Sequence, residues 1–131
     1  MSTRVVAGVL YDAQGRVLLA QRPPGKHMAG YWEFPGGKLA DGESPEQALQ
    51  RELAEELGVQ LAPMSCRPLL QLRHAYPDRL IELQVFTVAS WSGSPRGLEG
   101  QALQWVAPEE LERQPLLPAD QPIVSALQSD R

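Results

Sequence analysis

Two short aliphatic runs open the chain, TRVVAGVLYD and RVLLAQRP, separated by the turn-forming stretch DAQGR. Their β-branched and aliphatic content predicts two sequential antiparallel strands. PPGKHMAG reads as a loop, and YWEFPGG predicts a short strand ending at Pro35, followed by two glycines free to take angles closed to other residues. The period then changes. Leu49, Leu53 and Leu57 recur every four positions, the spacing of an apolar helical stripe. Ser44 suits the N-cap, Pro45 the first helical position, and Gln47 completes a capping box, while Gly58 supplies the stop. Downstream, CRPLLQLRHAY and RLIELQVFTVAS flank Pro77-Asp78 and predict a long hairpin, and ALQWV at 102–106 predicts a further strand. APEELER predicts a short helix opened by Pro108, and ADQPIVSALQ a final helix with Asp120 near its cap and Ile123, Val124 and Leu127 facing inward. Strands, helix, strands and helix in that order predict an α/β fold, a sandwich around a mixed β-sheet.

The first helix carries an anomaly. Glu52, Glu55 and Glu56 crowd one turn with only Arg51 beside them, and like charges at such spacing repel by a few tenths of a kcal/mol. At about 100° per residue, Glu55 and Glu56 fall within about 60° of Glu52, beside the leucine stripe, so the three carboxylates are expected to converge. Carboxylates from one helix, with glycine carbonyls nearby, form an all-oxygen set for a hard divalent cation, Mg²⁺ or alternatively Mn²⁺. Zinc is disfavoured, because His27 and His74 lie far apart and Cys66 has no thiol partner. On spacing alone the bland alternative is a solvated helix face, with Arg51 a surface partner of Glu55.

Composition narrows the ligand. At 131 residues the chain fits one domain, residues 1–131, with no linker or repeat. A net charge of −4 argues against binding a nucleic-acid polymer, so an anionic ligand is expected to be small or held through a cation. The N-terminal apolar run of about six residues is too short for a signal-peptide core or a membrane span. A cytoplasmic protein without membrane partners is expected, with a monomer as the default and Cys66 a small hydrophobe.

From Gly37 the pattern runs five residues, Glu43, seven residues, then Arg51-Glu52-Leu53-Ala54-Glu55-Glu56-Leu57-Gly58-Val59. This resembles the Nudix box in full, over residues 37–59. HMAGYWEFPGGK before it, PDR at 77–79 and EGQ at 99–101 are similar to the MutT branch of that family. The resemblance implies the Nudix fold, an α/β/α sandwich, and hydrolysis of a nucleoside diphosphate linked to another group. For MutT-like members water attacks the β-phosphorus of a nucleoside triphosphate, leaving the monophosphate and pyrophosphate. It implies Glu52, Glu55 and Glu56 as metal ligands with the Gly36 or Gly37 carbonyl, Glu52 also as the base, and Arg51 as a brace on Glu43 and Glu55. Glu99 matches a further metal position or is an ordinary loop glutamate; Lys38 neutralises phosphate or is merely solvated.

By the same resemblance Arg22, His27, Phe34, Arg79 and Asp120 surround the nucleotide, with Phe34 lending backbone groups and Arg79 covering the base. Asp120 departs from the best-known MutT pattern, which has Asn there. An amide both donates and accepts, whereas an ionised Asp only accepts unless burial keeps it protonated. LLPADQPIV also resembles the Nudix branch that cleaves cytidine triphosphates, and Asp120 has a plainer role as a helix cap. The expected substrate is 8-oxo-dGTP, with CTP or 5-methyl-dCTP the alternative. A noncatalytic nucleotide-binding Nudix module is the reading from another class, and the intact box counts against it.

Overall fold

In the computed structural model, which describes residues 2–129, the order is β1 (Ser2–Leu10), β2 (Val17–Gln21), β3 (Trp32–Glu33), β4 (Gly36–Lys38), α1 (Pro45–Leu57), β5 (Gln60–Leu61), β6 (Cys66–Tyr76), β7 (Arg79–Val88), β8 (Trp91–Ser92) and β9 (Leu103–Val106). Two 3-10 turns (Pro108–Arg113 and Pro118–Asp120) then lead into α2 (Gln121–Ser129). The main sheet has the order β4-β1-β7-β6, with β1 parallel to β7 and the other pairs antiparallel. It is the expected mixed sheet. A second sheet, β3-β2-β9, is antiparallel, and β5 pairs with β8 as a small ribbon.

The opening strands, expected as two sequential antiparallel strands, are both present but do not pair as a ladder. Both flanks of β1 are taken, by β4 and β7, so β2 enters the second sheet and meets the end of β1 only through an isolated Tyr11–Val17 bridge. Asp12 makes the redirecting turn, its Oδ1 accepting from the amides of Gln14 and Arg16. A similar crossing follows Trp32. Trp32 and Glu33 pair with β2, whereas Gly36 to Lys38 pair with β1, so this short stretch spans from one sheet to the other. At the junction the Pro35 carbonyl accepts from Gly8 N at 2.8 Å.

Period-two alternation along the strands supplies two cores. Val6, Leu10, Leu18, Phe86 and Val88 pack with Ala48, Leu49, Leu53 and Leu57 of α1. Ala7, Val9, Val17, Leu19, Leu83 and Val85 pack on the other side with Leu111, Ile123, Val124 and Leu127. Burial on both faces is why β1 reads as a nearly continuous apolar run. Helix α1 starts and stops where its caps predict. Ser44 Oγ accepts from Gln47 N at 3.1 Å, Gln47 Oε1 accepts from Ser44 N at 2.9 Å, and Gly58 takes the left-handed conformation at φ 72°. Among the described residues no helix is long and apolar enough to cross a membrane.

Candidate active site

Strand β4 and helix α1 meet side by side, and glycine makes the approach possible. A Cβ on Gly37 would land on the Glu52 carboxylate, and one on Gly36 would land on the backbone carbonyl of Val6. Arg51 ties the preceding loop to the helix. Its Nε and Nη2 donate to Glu43 Oε2 and Oε1 at 2.6 and 2.9 Å, Nη2 also reaches the Lys38 carbonyl at 3.0 Å, and Nη1 reaches Glu52 Oε1 at 3.0 Å. Such a fork fixes orientation as well as charge. The guanidinium, with the Ala40 amide on Oε1, lowers the Glu43 carboxyl to about 2, and the Glu43 and Glu52 carboxylates raise Arg51 in turn.

The three carboxylates of the helix do not all converge. Glu55 and Glu56 straddle Glu52, about 60° to one side and about 40° to the other. Glu55 leans to Arg51 Nη1 at 3.5 Å with 55% of its side chain exposed, outside the cavity that Glu52 and Glu56 line. Burial pushes the Glu56 carboxyl up to about 9, and Glu52, which also hydrogen-bonds it, Glu99 and Glu33 add to the rise. Glu99 is exposed on a loop fastened to the C-terminal end of α1: Leu98 N and Gln101 Nε2 donate to the Glu56 carbonyl and Arg96 N to that of Leu57.

Two pressed carboxylates on oxygen-rich ground fit a divalent cation, which would offset both the burial that chiefly raises Glu56 and the repulsion from Glu52 that adds to it. Among the described residues no three His, Cys, Asp or Glu side chains form a ready-made cage.

A cavity of about 450 Å³ takes in Glu52 and Glu56. Gly36, Gly37 and Lys38 of the glycine strand line it, and so do Arg22, His27, Phe34, Arg79 and Asp120. Glu43, Arg51, Glu55 and Glu99 do not. Arg22 Nη1 donates to Glu33 Oε1 at 3.0 Å and its Nε to the His27 carbonyl at 2.7 Å, tying loop to strand. Asp120 is 6% exposed, and its Oδ2 accepts from Phe34 N at 2.9 Å instead of capping α2. Burial raises its carboxyl to about 7, with Glu33 adding to the rise and Phe34 and Arg22 opposing it.

Sequence reasoning missed Glu33 and Tyr76, which also line the cavity. Burial raises Glu33 against the pull of Arg22. Nothing periodic in WEF marks Glu33, whereas Tyr76 stands next to the PDR turn already singled out, and that adjacency was an available signal.

The NUDIX domain family profile matches residues 6–126, and the chain belongs to that family of hydrolases. Within it, a Proteus vulgaris protein named 8-oxo-dGTP diphosphatase is 51% identical over 87 residues, 66% of this chain and 76% of that one. The Escherichia coli K12 protein named CTP pyrophosphohydrolase is 40% identical over 127 residues, 97% of this chain and 92% of that one. A solved MutT structure, from work on Aliivibrio salmonicida and Vibrio cholerae, aligns with a TM-score of 0.85 at 30% identity and covers 100% of both chains. The expected Nudix fold is met. Nudix hydrolases generally need a divalent metal ion.

Proposed function

We propose that this chain hydrolyses a nucleoside triphosphate to the monophosphate and pyrophosphate, with 8-oxo-dGTP the preferred substrate and Mg²⁺ the working cation. One observation carries the reading: a single cavity is lined both by Glu52 and Glu56 with the glycine strand and by Phe34 and Asp120, which carry hydrogen-bonding groups for a base. The relatives named 8-oxo-dGTP diphosphatase support the substrate.

A bound divalent cation neutralises the polyphosphate and lowers the pKa of water. The chain's own groups do the rest. Glu52 and Glu56, with the Gly36 or Gly37 carbonyl, would hold such an ion. Glu52 takes the proton of the attacking water. That water adds to the β-phosphorus, the bond to the oxygen bridging the α-phosphorus breaks, and the nucleoside monophosphate leaves. Arg51 is a positioning residue, holding Glu52 and Glu43 from behind. Glu55 and Glu99 lie outside the cavity and act, if they ligate, from its edge. Lys38, Arg22, His27 and Arg79 offset the charge of an anionic ligand and flank the nucleoside.

A second substrate reading has its own support: the acceptor Asp120 suits the amino group of cytosine, and one relative is named CTP pyrophosphohydrolase. Pyrophosphate release from 8-oxo-dGTP, dGTP, CTP and 5-methyl-dCTP, compared as kcat/KM with and without Mg²⁺, decides between them. Top rank for 8-oxo-dGTP supports the proposal; top rank for CTP or 5-methyl-dCTP replaces its substrate. Binding without Mg²⁺-dependent turnover makes the chain a noncatalytic nucleotide-binding module. Hydrolysis in ¹⁸O-water should label pyrophosphate, and label in the monophosphate would move the attack to the α-phosphorus.

A further inference from the structure

Asp120 poses a chemical problem for a purine site. Its Oδ2 is occupied by the Phe34 amide, and the remaining oxygen, once ionised, only accepts. The edge of guanine and of its 8-oxo form presents an acceptor, O6, beside an N–H donor. Reading both needs a donor as well, and an amide would supply both functions from one side chain. With Asp120 ionised, the donor must come from elsewhere.

Tyr76 stands where that donor is needed. It lines the same cavity as Asp120 and Phe34. A backbone hydrogen bond joins it to Ala119, one residue before Asp120, and favours the charged form of the phenol. Burial pushes the hydroxyl up from its ordinary value, so it stays protonated at neutral pH. The ring is held from two sides, with His74 edge-on at 4.6 Å between centroids and His27 at 6.4 Å and 87°. Three elements thus set the phenol: its own strand, the loop before Trp32, and the turn that carries Asp120.

We propose that the Tyr76 hydroxyl is a specificity-determining donor for the nucleobase, acting with Asp120 as the acceptor, so that two side chains read the O6 and N–H edge of a guanine-type base. This rests on the purine triphosphate reading above. Tyr76→Phe removes the donor and keeps the ring. The probes are 8-oxo-dGTP, dGTP and the deoxyribonucleoside triphosphate of 2-aminopurine, which carries hydrogen in place of O6.

With the variant, kcat/KM for 8-oxo-dGTP and dGTP should fall by about tenfold, mainly through KM, while the 2-aminopurine substrate changes by less than about twofold. A melting curve at the wild-type temperature shows that the fold is kept. Equal losses for all three substrates would make Tyr76 a mere support of the Ala119 turn, and unchanged values for all three would remove its role; either overturns the inference alone. Failure of the wild-type protein to cleave any of the three would instead overturn the reading on which the inference stands.

Discussion

Replacing Gly37 with alanine separates the structural part of the glycine strand from its chemical part. The new Cβ would lie 2.5 and 2.6 Å from the two Glu52 carboxylate oxygens, where ordinary contact begins at 3.4 Å. The carboxylate must therefore retreat by about 1 Å. Gly37 is not at positive φ, so alanine suits the backbone, and the clash falls on the end of a flexible side chain. Stability should change by less than about 1 kcal/mol. Catalysis should not be spared, because a misplacement of about 1 Å costs on the order of 100-fold in rate. Gly36→Ala is the contrast. Its Cβ meets the Val6 carbonyl inside the β1–β4 pairing, where nothing can rotate away, and about 2–3 kcal/mol of stability should be lost. Pyrophosphate release at saturating Mg²⁺, measured beside thermal melting, reads both. A folded Gly37→Ala protein with wild-type kcat/KM would refute the reasoning, as would a fall in Tm matching that of Gly36→Ala.

Further consequences follow from the same geometry. Arg51→Lys keeps the charge but not the fork that serves Glu43, Glu52 and the Lys38 carbonyl together, so kcat/KM should drop by about tenfold or more with helix content unchanged; full activity would show that the brace is dispensable. Glu56 is raised to about 9 from its ordinary 4.5, so its contribution to stability is complete below about pH 4.5 and is lost as pH rises through about 9. Scanning calorimetry in EDTA should show Tm falling across that window, and Mg²⁺ should raise Tm more near pH 8 than near pH 5; an equal Mg²⁺ shift at both would contradict the assignment. Asp120, raised to about 7, should put an inflection near pH 7 in the kcat/KM profile. Asp120→Asn should abolish that inflection and reorder 8-oxo-dGTP against CTP in the substrate panel, and neither change would occur if Asp120 had only a structural role.

Local chemistry made α1 legible. Ser44, Pro45, Gln47 and Gly58 each act within a turn of their own position, and the helix ends where they direct. The long β6–β7 hairpin was readable too, since its register follows from one tight turn back to Leu70, beyond which a shift between Pro68 and Leu70 breaks it. Partner choice was not local. β1 and β2 are each attractive strands in isolation, but the sheet places β7 and β4 beside β1, and those pairings span much of the chain. Strands β5 and β8, two residues each, are too short to carry a period. In the site, the helix repeat placed Glu52 and Glu56 together and the expected Arg51–Glu55 pair is present, but the repeat could not foresee that this pairing leaves Glu55 outside the cavity. Glu33 and Tyr76 join the cavity through tertiary contacts with Arg22 and Ala119, which no spacing in the sequence encodes.

Glu52 and Glu56, two carboxylates of one helix, are proposed to hold a cation in the same cavity that receives the base. A crystal structure with Mn²⁺ and a nonhydrolysable 8-oxo-dGTP analogue tests it most directly, because the anomalous signal of manganese locates the ion independently of the ligand. A manganese peak should lie between the Glu52 and Glu56 carboxylates and the phosphates, with the base against Phe34 and Asp120. Manganese bound away from both carboxylates, with the nucleotide outside the cavity, would contradict it.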